Sequence, residues 1–454
     1  MGKLFGTDGV RGVANENLTC ELAMKIGKAG AYVLGKGKTE APRILIGRDT
    51  RVSGTMLENA LAAGICSVGA KAYCVGVAPT PAIAYLTRKG GFDAGVVVSA
   101  SHNSAEFNGI KFFNNGGYKL PDETEEEIES YILDETKTMP LPTGGSVGAR
   151  MDYSHKLEDY IEFALSITNV NLKGVRIALD CANGASSYTS PETFRRLGAD
   201  VVVINNDPDG ININRNCGST HPEELQRTVV SEKCDYGFAF DGDADRLLAV
   251  DSDGCLIDGD VIMAICANDL KNRGRLVKNT LVATVMSNLG LFIMGEQQGI
   301  NIPKTKVGDR YVLEEMLRCG YVLGGEQSGH IIFLEHNTTG DGLVSAIALA
   351  EVISRLGKPL CELKNVMRIF PQVLRNAQVA KLGDGTYQED EEIQEIIASL
   401  EAKFAGRGRV LIRPSGTEPL VRVMIEGEDI NQITQDAEYL AAKITNFYKK
   451  ERRM

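Results

Sequence analysis

The chain reads as an α/β protein: three similar α/β domains with mixed, mainly parallel sheets, then a smaller α+β domain at the C-terminal end. Three observations predict this. At 454 residues the chain is too long for one core. Short β-branched runs alternate with helical patterns, the rhythm of βαβ units. That rhythm stops at Pro140-Leu141-Pro142-Thr143-Gly144-Gly145-Ser146, which reads as a linker, and then restarts. In the first domain (1–150), Arg43–Gly47, Lys71–Val77 and Gly95–Ser99 are predicted strands. Gly54–Val68 and Pro81–Lys89 are helices between them, and the acidic stretch Asp122–Ile132 is an exposed helix. In the second (151–256), strand Val175–Leu179, helix Pro191–Leu197 and strand Asp200–Ile204 precede a strand that ends at Asp241. The third (257–368) has an apolar helix Val261–Leu270, strand Leu281–Met286 and a helix from about Tyr311. Strand Tyr321–Leu323 and apolar helix Gly342–Ile353 complete it. Pro371 marks the next border. The fourth domain (369–454) has an acidic helix Asp390–Phe404, strands Arg409–Arg413 and Leu420–Ile425, and a closing helix.

The composition is 43% hydrophobic and 24% charged, that of an ordinary globular protein. A net charge of −11 argues against nucleic acid or an anionic membrane as main partner, since both need a basic face. A small anionic substrate stays open, because local arginines override the global sign. The ten cysteines stand singly, with no Cys-x-x-Cys and no Cys/His ligand spacing, which excludes zinc and redox motifs. Their scatter fits a reducing cytoplasm. The N-terminus carries no apolar signal core, and no apolar stretch reaches the ~20 residues that span a bilayer. The expected location is the cytoplasm.

The richest motif is Asp241-Gly242-Asp243-Ala244-Asp245-Arg246, at the exit of an apolar strand. In an extended segment residues i, i+2 and i+4 point the same way, so the three acids converge. Two unit charges about 5 Å apart repel by roughly 3 kcal/mol at an effective dielectric near 20. Such a cluster asks for a cation, and oxygen-only ligands favour Mg²⁺, Ca²⁺ or Mn²⁺. A solvated surface loop is the bland alternative. An EF-hand is excluded, because Arg246 and Ser252 stand where its sixth and twelfth positions need Gly and Glu. A phosphatase of the Asp-x-Asp type, with Asp241 as nucleophile, remains open.

Ser99-Ala100-Ser101-His102-Asn103 directly follows the strand Ala94–Val98, and strand ends in open α/β sheets are where ligands sit. Such a serine commonly caps a turn. His102, one of five histidines, and Lys111 ten residues after Ser101 raise the odds of a nucleophile, since serine needs an adjacent base or electrophile. Gly324-Gly325-Glu326-Gln327-Ser328-Gly329-His330 suits a loop that binds sugar hydroxyls, or a polar hairpin turn. Arg413-Pro414-Ser415-Gly416-Thr417-Glu418, with Arg422 after it, is a candidate phosphate cradle. It is not a Walker loop, and no Gly-x-Gly-x-x-Gly fingerprint occurs. Gly6-Thr7-Asp8-Gly9-Val10-Arg11-Gly12 puts an arginine in a glycine-rich N-terminal turn.

Together and in this order, these five segments resemble the α-D-phosphohexomutase superfamily, from Gly6 to Arg422. Gln327, and Asn337-Thr338-Thr339-Gly340-Asp341-Gly342 downstream, resemble its bacterial branch that works on glucosamine phosphates. Relatives acting on glucose and mannose phosphates usually have Met at the Gln327 position, and that activity is the alternative. The resemblance implies four domains around a central cleft. It implies interconversion of D-glucosamine 6-phosphate and α-D-glucosamine 1-phosphate, feeding UDP-N-acetylglucosamine and cell-wall precursors. Ser101 would be the phosphoserine, activated by phosphorylation, and glucosamine 1,6-bisphosphate the activator and intermediate. Asp241, Asp243 and Asp245 would hold one Mg²⁺ together with Ser101. Arg11 and Arg246 would stabilise the moving phosphate, with Lys111, His102 and His330 as candidates for proton transfer. Glu326 and Ser328 would bind sugar hydroxyls beside a loop of Gly308, Asp309 and Arg310. Arg413, Ser415, Gly416, Thr417 and Arg422 would clamp the phosphate at rest. The partner is a small phosphosugar, with no nucleic acid and no membrane, and a homodimer is the assembly to test. Relatives commonly carry Pro after the Ser-His-Asn run. Here it is Ser104, which frees the backbone of that loop. A phosphatase and a non-catalytic sugar-phosphate binder are the other readings.

Overall fold

The computed structural model describes residues 4–6, 8–379, 381, 383, 385–415 and 419–451. Residues 1–286 with 298–366 form one compact unit, and 287–297 with 367–454 form a second.

The first unit holds three sheets. The N-terminal one is built from β1 (Val10–Val13), α1 (Cys20–Leu34), β2 (Arg43–Arg48), α2 (Val52–Ser67) and β3 (Lys71–Val77). α3 (Thr80–Lys89), β4 (Ala94–Val98), β5 (Phe107–Asn114), α4 (Asp122–Leu133) and β6 (Arg150–Asp152) complete it. Its strand order is β1-β5-β4-β2-β3-β6, with β4, β2, β3 and β6 parallel, β5 antiparallel to β4, and β1 antiparallel to β5. β4, Ala-Gly-Val-Val-Val, is buried at every position, as a central parallel strand should be. Each of its valines contributes about 2 kcal/mol by burial. α1 and α2 pack almost backbone to backbone. A Cβ on Gly27 would stand 2.3 Å from the Leu61 carbonyl oxygen, and one on Gly64 would stand 2.1 Å from that of Met24.

The second sheet follows α5 (Leu157–Ser166). It comprises β7 (Arg176–Asp180), β8 (Asp200–Ile204), β9 (Tyr236–Phe240), β10 (Leu247–Asp251) and β11 (Leu256–Ile257), with helices α6 (Ser186–Arg196) and α7 (Glu223–Ser231). Its order is β11-β10-β9-β7-β8, parallel through β9-β7-β8 and antiparallel beyond. The third follows α8 (Gly259–Asn272). β12 (Val282–Thr284) is separated by α9 (Leu289–Gln298) from β13 (Lys304–Thr305). α10 (Asp309–Cys319), β14 (Leu323–Gly325), β15 (Ile331–Phe333), α11 (Gly342–Leu356) and the short α12 (Leu360–Leu363) come after. The order β13-β12-β14-β15 again ends on an antiparallel strand. In the second unit, β16 (Gln372–Gln378), α13 (Glu391–Phe404), β17 (Gly408–Pro414), β18 (Leu420–Gly427) and α14 (Ile430–Glu451) form an antiparallel sheet, β16-β18-β17. Val421, Val423 and Ile425 alternate into one core with Leu440 and Ile444 of α14.

The fold class is the one expected, and the details differ in places. Helix α6 begins at Ser186, so Pro191 lies inside it rather than at its first position. The strand expected at 321–323 is β14, two residues later. The N-terminal glycine-rich turn runs on into β1, because Val10–Val13 pairs with β5. Helix α4 is not wholly exposed: Ile128 and Glu129 are buried, and Glu129 accepts from the backbone N–H of Leu4 at 2.8 Å.

Candidate active site

The strand exits place the chemistry. After β4 the chain turns sharply at Ser101, whose φ of +50° lies in the left-handed region, which costs a non-glycine residue of order 1 kcal/mol. The turn leaves Ser101 2% exposed, with Oγ donating to Asp241 Oδ2 at 2.7 Å and lying 3.3 Å from His102 Nδ1. The Asp241–Arg246 run is a six-residue loop between paired Phe240 and Leu247. The acids therefore do not converge by strand alternation. The loop folds around a turn in which Ala244 is left-handed (φ +59°) and its N–H reaches the Asp241 carbonyl. Convergence itself is real: one oxygen of each of Asp241, Asp243 and Asp245 lies within 4.8 Å of the others, and all three residues are buried. Gly242 is needed here, since a Cβ would stand 2.6 Å from the Ser101 carbonyl oxygen.

Burial and the neighbouring charges of Asp245 and Asp243 push the Asp241 carboxyl well above its ordinary range, and burial and Asp243 likewise raise Asp245. Burial acts the same way on Asp243, but Lys111 and a hydrogen bond from Thr80 outweigh it and hold Asp243 at about 2. Thr80 opens α3 and gives Asp243 both its hydroxyl (2.7 Å) and, to the backbone carbonyl, its N–H (2.9 Å). Asp243 Oδ1 and Asp245 Oδ1 are buried without any hydrogen bond. Orphaned carboxylate oxygens in an all-oxygen cluster fit a hard divalent cation, which would relieve the repulsion.

Lys111, on β5, is 3% exposed, with Nζ 3.1 Å from Asp8 and 3.4 Å from Asp243. Burial opposes its charge, and Asp8, Asp243 and Asp245 restore it, so the ammonium is held above its ordinary value. Asp8 also pairs with Arg11 and, at 3.0 Å, with Lys119, which in turn meets Asp309 at 2.5 Å. Burial would raise Asp8, but Lys111, Lys119 and Arg11 drive it well below the carboxylate range. His330 Nε2 stands 3.6 Å from Asp309 and 3.9 Å from Asp245. His102 is pushed down to about 4 by burial and by Arg246 and Arg11, so it is neutral at pH 7. Arg246 donates its backbone N–H to Asp241 Oδ1 at 3.2 Å.

Ser101, His102, Arg11, Asp245, Arg246, Gly308, Asp309, Arg310, Glu326, Ser328 and His330 line one cleft of about 860 Å³, and Lys111, Asp241 and Asp243 lie directly behind it. Of the segment Gly324–His330, the two leading glycines end β14 and Glu326–His330 form the turn of the β14–β15 hairpin and part of the cleft wall. Glu326 Oε1 accepts from the N–H of Gly308, whose φ of +128° only glycine tolerates readily. Gln327 donates to Asp258, the N-cap of α8, at 3.0 Å, so it fixes the shape of the turn. Arg310 pairs with Asp122 and Glu314, and burial with the like charge of Asp122 pushes Glu125 up to about 7. Asp122, Glu125 and Glu126 of α4 thus belong to the cleft wall.

In the second unit Arg413 and Arg422 are direct cross-strand partners on β17 and β18, with Asn376 of β16 beside Arg422 in the same row. Like charges directly opposite disfavour a ladder unless a counter-charge offsets them. Ser415 is buried at the end of β17. Gly416 and Thr417 lie outside the described residues. Sequence reasoning missed Asp8, Thr80 and the α4 acids Asp122, Glu125 and Glu126. Only Asp8, inside a motif already noted, left a signal.

The phosphoglucomutase/phosphomannomutase family models match along the chain: α/β/α domain I over residues 2–139, domain II over 153–254, domain III over 258–370 and the C-terminal domain over 374–443. The phosphoglucosamine mutase of Clostridium novyi is 61% identical over 444 residues, covering 98% of this chain and 99% of that one. That of Acetivibrio thermocellus is 60% identical over 437 residues, covering 96% and 97%. A phosphoglucomutase/phosphomannomutase family protein from Burkholderia thailandensis has a structure that superposes with a TM-score of 0.79 at 25% identity, over 98% of this chain and 97% of its own.

Proposed function

The chain belongs to the α-D-phosphohexomutase superfamily, in its phosphoglucosamine mutase branch, and we propose that its cleft interconverts D-glucosamine 6-phosphate and α-D-glucosamine 1-phosphate through phospho-Ser101. The observation that carries phosphoryl transfer is the left-handed Ser101, whose hydroxyl opens on the cleft and touches the buried acid cluster.

In the first half-reaction the O1 hydroxyl of glucosamine 6-phosphate attacks phosphorus. The bond to Ser101 Oγ breaks, the hydroxyl proton leaves for a base while Oγ takes up a proton, and glucosamine 1,6-bisphosphate forms. After the sugar reverses, Ser101 Oγ loses its proton and attacks the 6-phosphoryl, the bond to O6 breaks and O6 is protonated, and glucosamine 1-phosphate departs. Transfer of this kind depends on position and charge neutralisation. Arg11 and Arg246 line the cleft and would meet charge on the moving phosphoryl oxygens. Lys111, His102 and His330 are the candidates for proton transfer; burial weakens His102 as a base, and Asp8 and Asp243 hold Lys111 charged. Asp241, Asp243 and Asp245 would hold Mg²⁺ with an oxygen of the phosphoserine, and the bound ion would act as a Lewis acid at that phosphate. Glu326 and Ser328 orient the sugar hydroxyls, with Gly308, Asp309 and Arg310 adjacent. Arg413, Ser415 and Arg422 bind the phosphate that is not reacting. We further propose domain borders near residues 150, 256 and 368, a division that the matched family ranges support.

Among the described residues no helix is long and apolar enough to cross a membrane, and a cytoplasmic enzyme is the reading that the unpaired cysteines support. Side-by-side kcat/KM values for glucosamine 1-phosphate and glucose 1-phosphate test the substrate, with the amino sugar expected to win clearly. A preference for glucose 1-phosphate would overturn it.

A further inference from the structure

We propose that Arg51 and Asn214 are positioning residues that together hold the Ser101 backbone in its left-handed turn. The proposal rests on the reading of Ser101 as the phosphoryl carrier. The Arg51 side chain is wholly buried, which an arginine tolerates only when its donors are used. One donor meets Asp49 Oδ2 at 3.1 Å, the partner that balances its charge. The rest of the fork is spent on a single loop: Nε on the Phe107 carbonyl at 2.8 Å, and Nη2 on those of Asn103 at 2.6 Å and Ser101 at 3.2 Å. Asn214, from the segment after β8, reaches the same two carbonyls. Its Nδ2 donates to Ser101 O at 2.8 Å and to Asn103 O at 3.0 Å.

The Ser101 N–H is held as well. It donates to Ser99 Oγ at 2.9 Å, and Ser99 donates to Asp49 Oδ2 at 2.6 Å. Both polar groups of the Ser101 backbone thus end on one buried network. An ion pair needed only for the core would not aim three contacts at carbonyls 101, 103 and 107. Neither Arg51 nor Asn214 lines the cleft, so neither touches a reacting atom. Their effect passes through the aim of Oγ, and a misplacement near 1 Å costs on the order of 100-fold in rate.

The test uses full-length Asn214→Asp, which keeps the shape but removes the donor, and Arg51→Lys, which keeps the charge but loses the fork. Each is loaded with glucose 1,6-bisphosphate and its Ser101 phosphate followed by intact mass. The expected result is a kcat lower by about 10- to 100-fold with KM for glucosamine 6-phosphate within about twofold. A larger share of the enzyme-borne phosphate is also expected to appear as inorganic phosphate in a single turnover, a partition that a loss of folded protein alone would not shift. Variants with wild-type melting temperature, kcat and phosphate partition would overturn the positioning role. Should Arg51→Lys fail to fold, Asn214→Asp alone decides. Wild-type protein that never gains the phosphate mass at Ser101 would overturn the phosphoserine reading, and this proposal with it.

Discussion

Ser101 and His102 are adjacent in sequence but are set up in opposite ways. The serine hydroxyl is hydrogen-bonded to a carboxylate, and the imidazole is kept uncharged by burial and two arginines. Ser101→Ala is expected to abolish turnover while metal and substrate binding persist, measured by a coupled assay and by calorimetry. Near-normal activity would rule out the covalent route. For His102 the sign follows from linkage. The folded imidazole titrates near 4 and a free one near 6.5, so between these values the unfolded chain binds more protons. Its contribution to stability is complete above pH 6.5 and is lost as pH falls towards 4. His102→Gln should flatten the fall of the melting temperature over that window. Residues of this kind were legible because their chemistry stands at strand exits. Arg51, Asn214 and Thr80 were not, because a buried arginine, an asparagine in a loop and a threonine at the start of a helix have no distinctive local pattern. Their roles exist only through partners 50 to 163 positions away.

At the scale of elements, the central parallel strands of the α/β sheets were readable, as were β17 and β18, whereas the antiparallel additions β1, β5, β10 and β15 and the short parallel edges β6 and β13 were not. β4 is an unbroken apolar run. β5 alternates less clearly and carries Lys111, and β1 has four residues including Arg11 and a glycine, so its strand character comes from pairing with β5. The motif Asn337–Gly342 was noticed only as a resemblance. In the structure it is a buried junction. Asn337 donates to the Pro81 carbonyl at 3.1 Å, Thr338 to that of Gly117 at 2.6 Å, and Asp341 accepts from Tyr160 at 2.8 Å while capping α11. Gly340 is the seat of the His330 ring, since a Cβ there would stand 2.4–2.5 Å from three ring atoms. Because His330 is itself 4% exposed, the ring has little room to yield. Gly340→Ala should cost about 1–3 kcal/mol of stability and at least about tenfold in kcat, read from denaturation and steady-state kinetics. Unchanged kcat would show that the ring position does not matter.

At the scale of the whole molecule, the acid cluster is a net liability until a cation fills it. Raised carboxyls on Asp241 and Asp245 mean that Mg²⁺ binding should release protons, more at pH 5 than at pH 8, detectable by calorimetry in buffers of different ionisation enthalpy. Chelation should abolish activity, and Mg²⁺ at 100 times its Kd should add about 2.7 kcal/mol to stability. A melting temperature insensitive to Mg²⁺ would exclude the site. The three α/β units and the smaller α+β domain were foreseeable from rhythm and length. Which residues of distant segments would meet was not, since periodicity carries no information about contacts between sheets.

The exposed run at 140–146 joins the segment that carries Ser101 to the one that carries the three aspartates. Dividing the gene there would yield two polypeptides, each with part of the catalytic set and neither competent alone. The Ser101–Asp241 contact would then exist only after the pieces recombine. Sugar-phosphate turnover would become a readout of fragment complementation, and fusing each piece to a separate bait would turn this mutase into a reporter of their encounter.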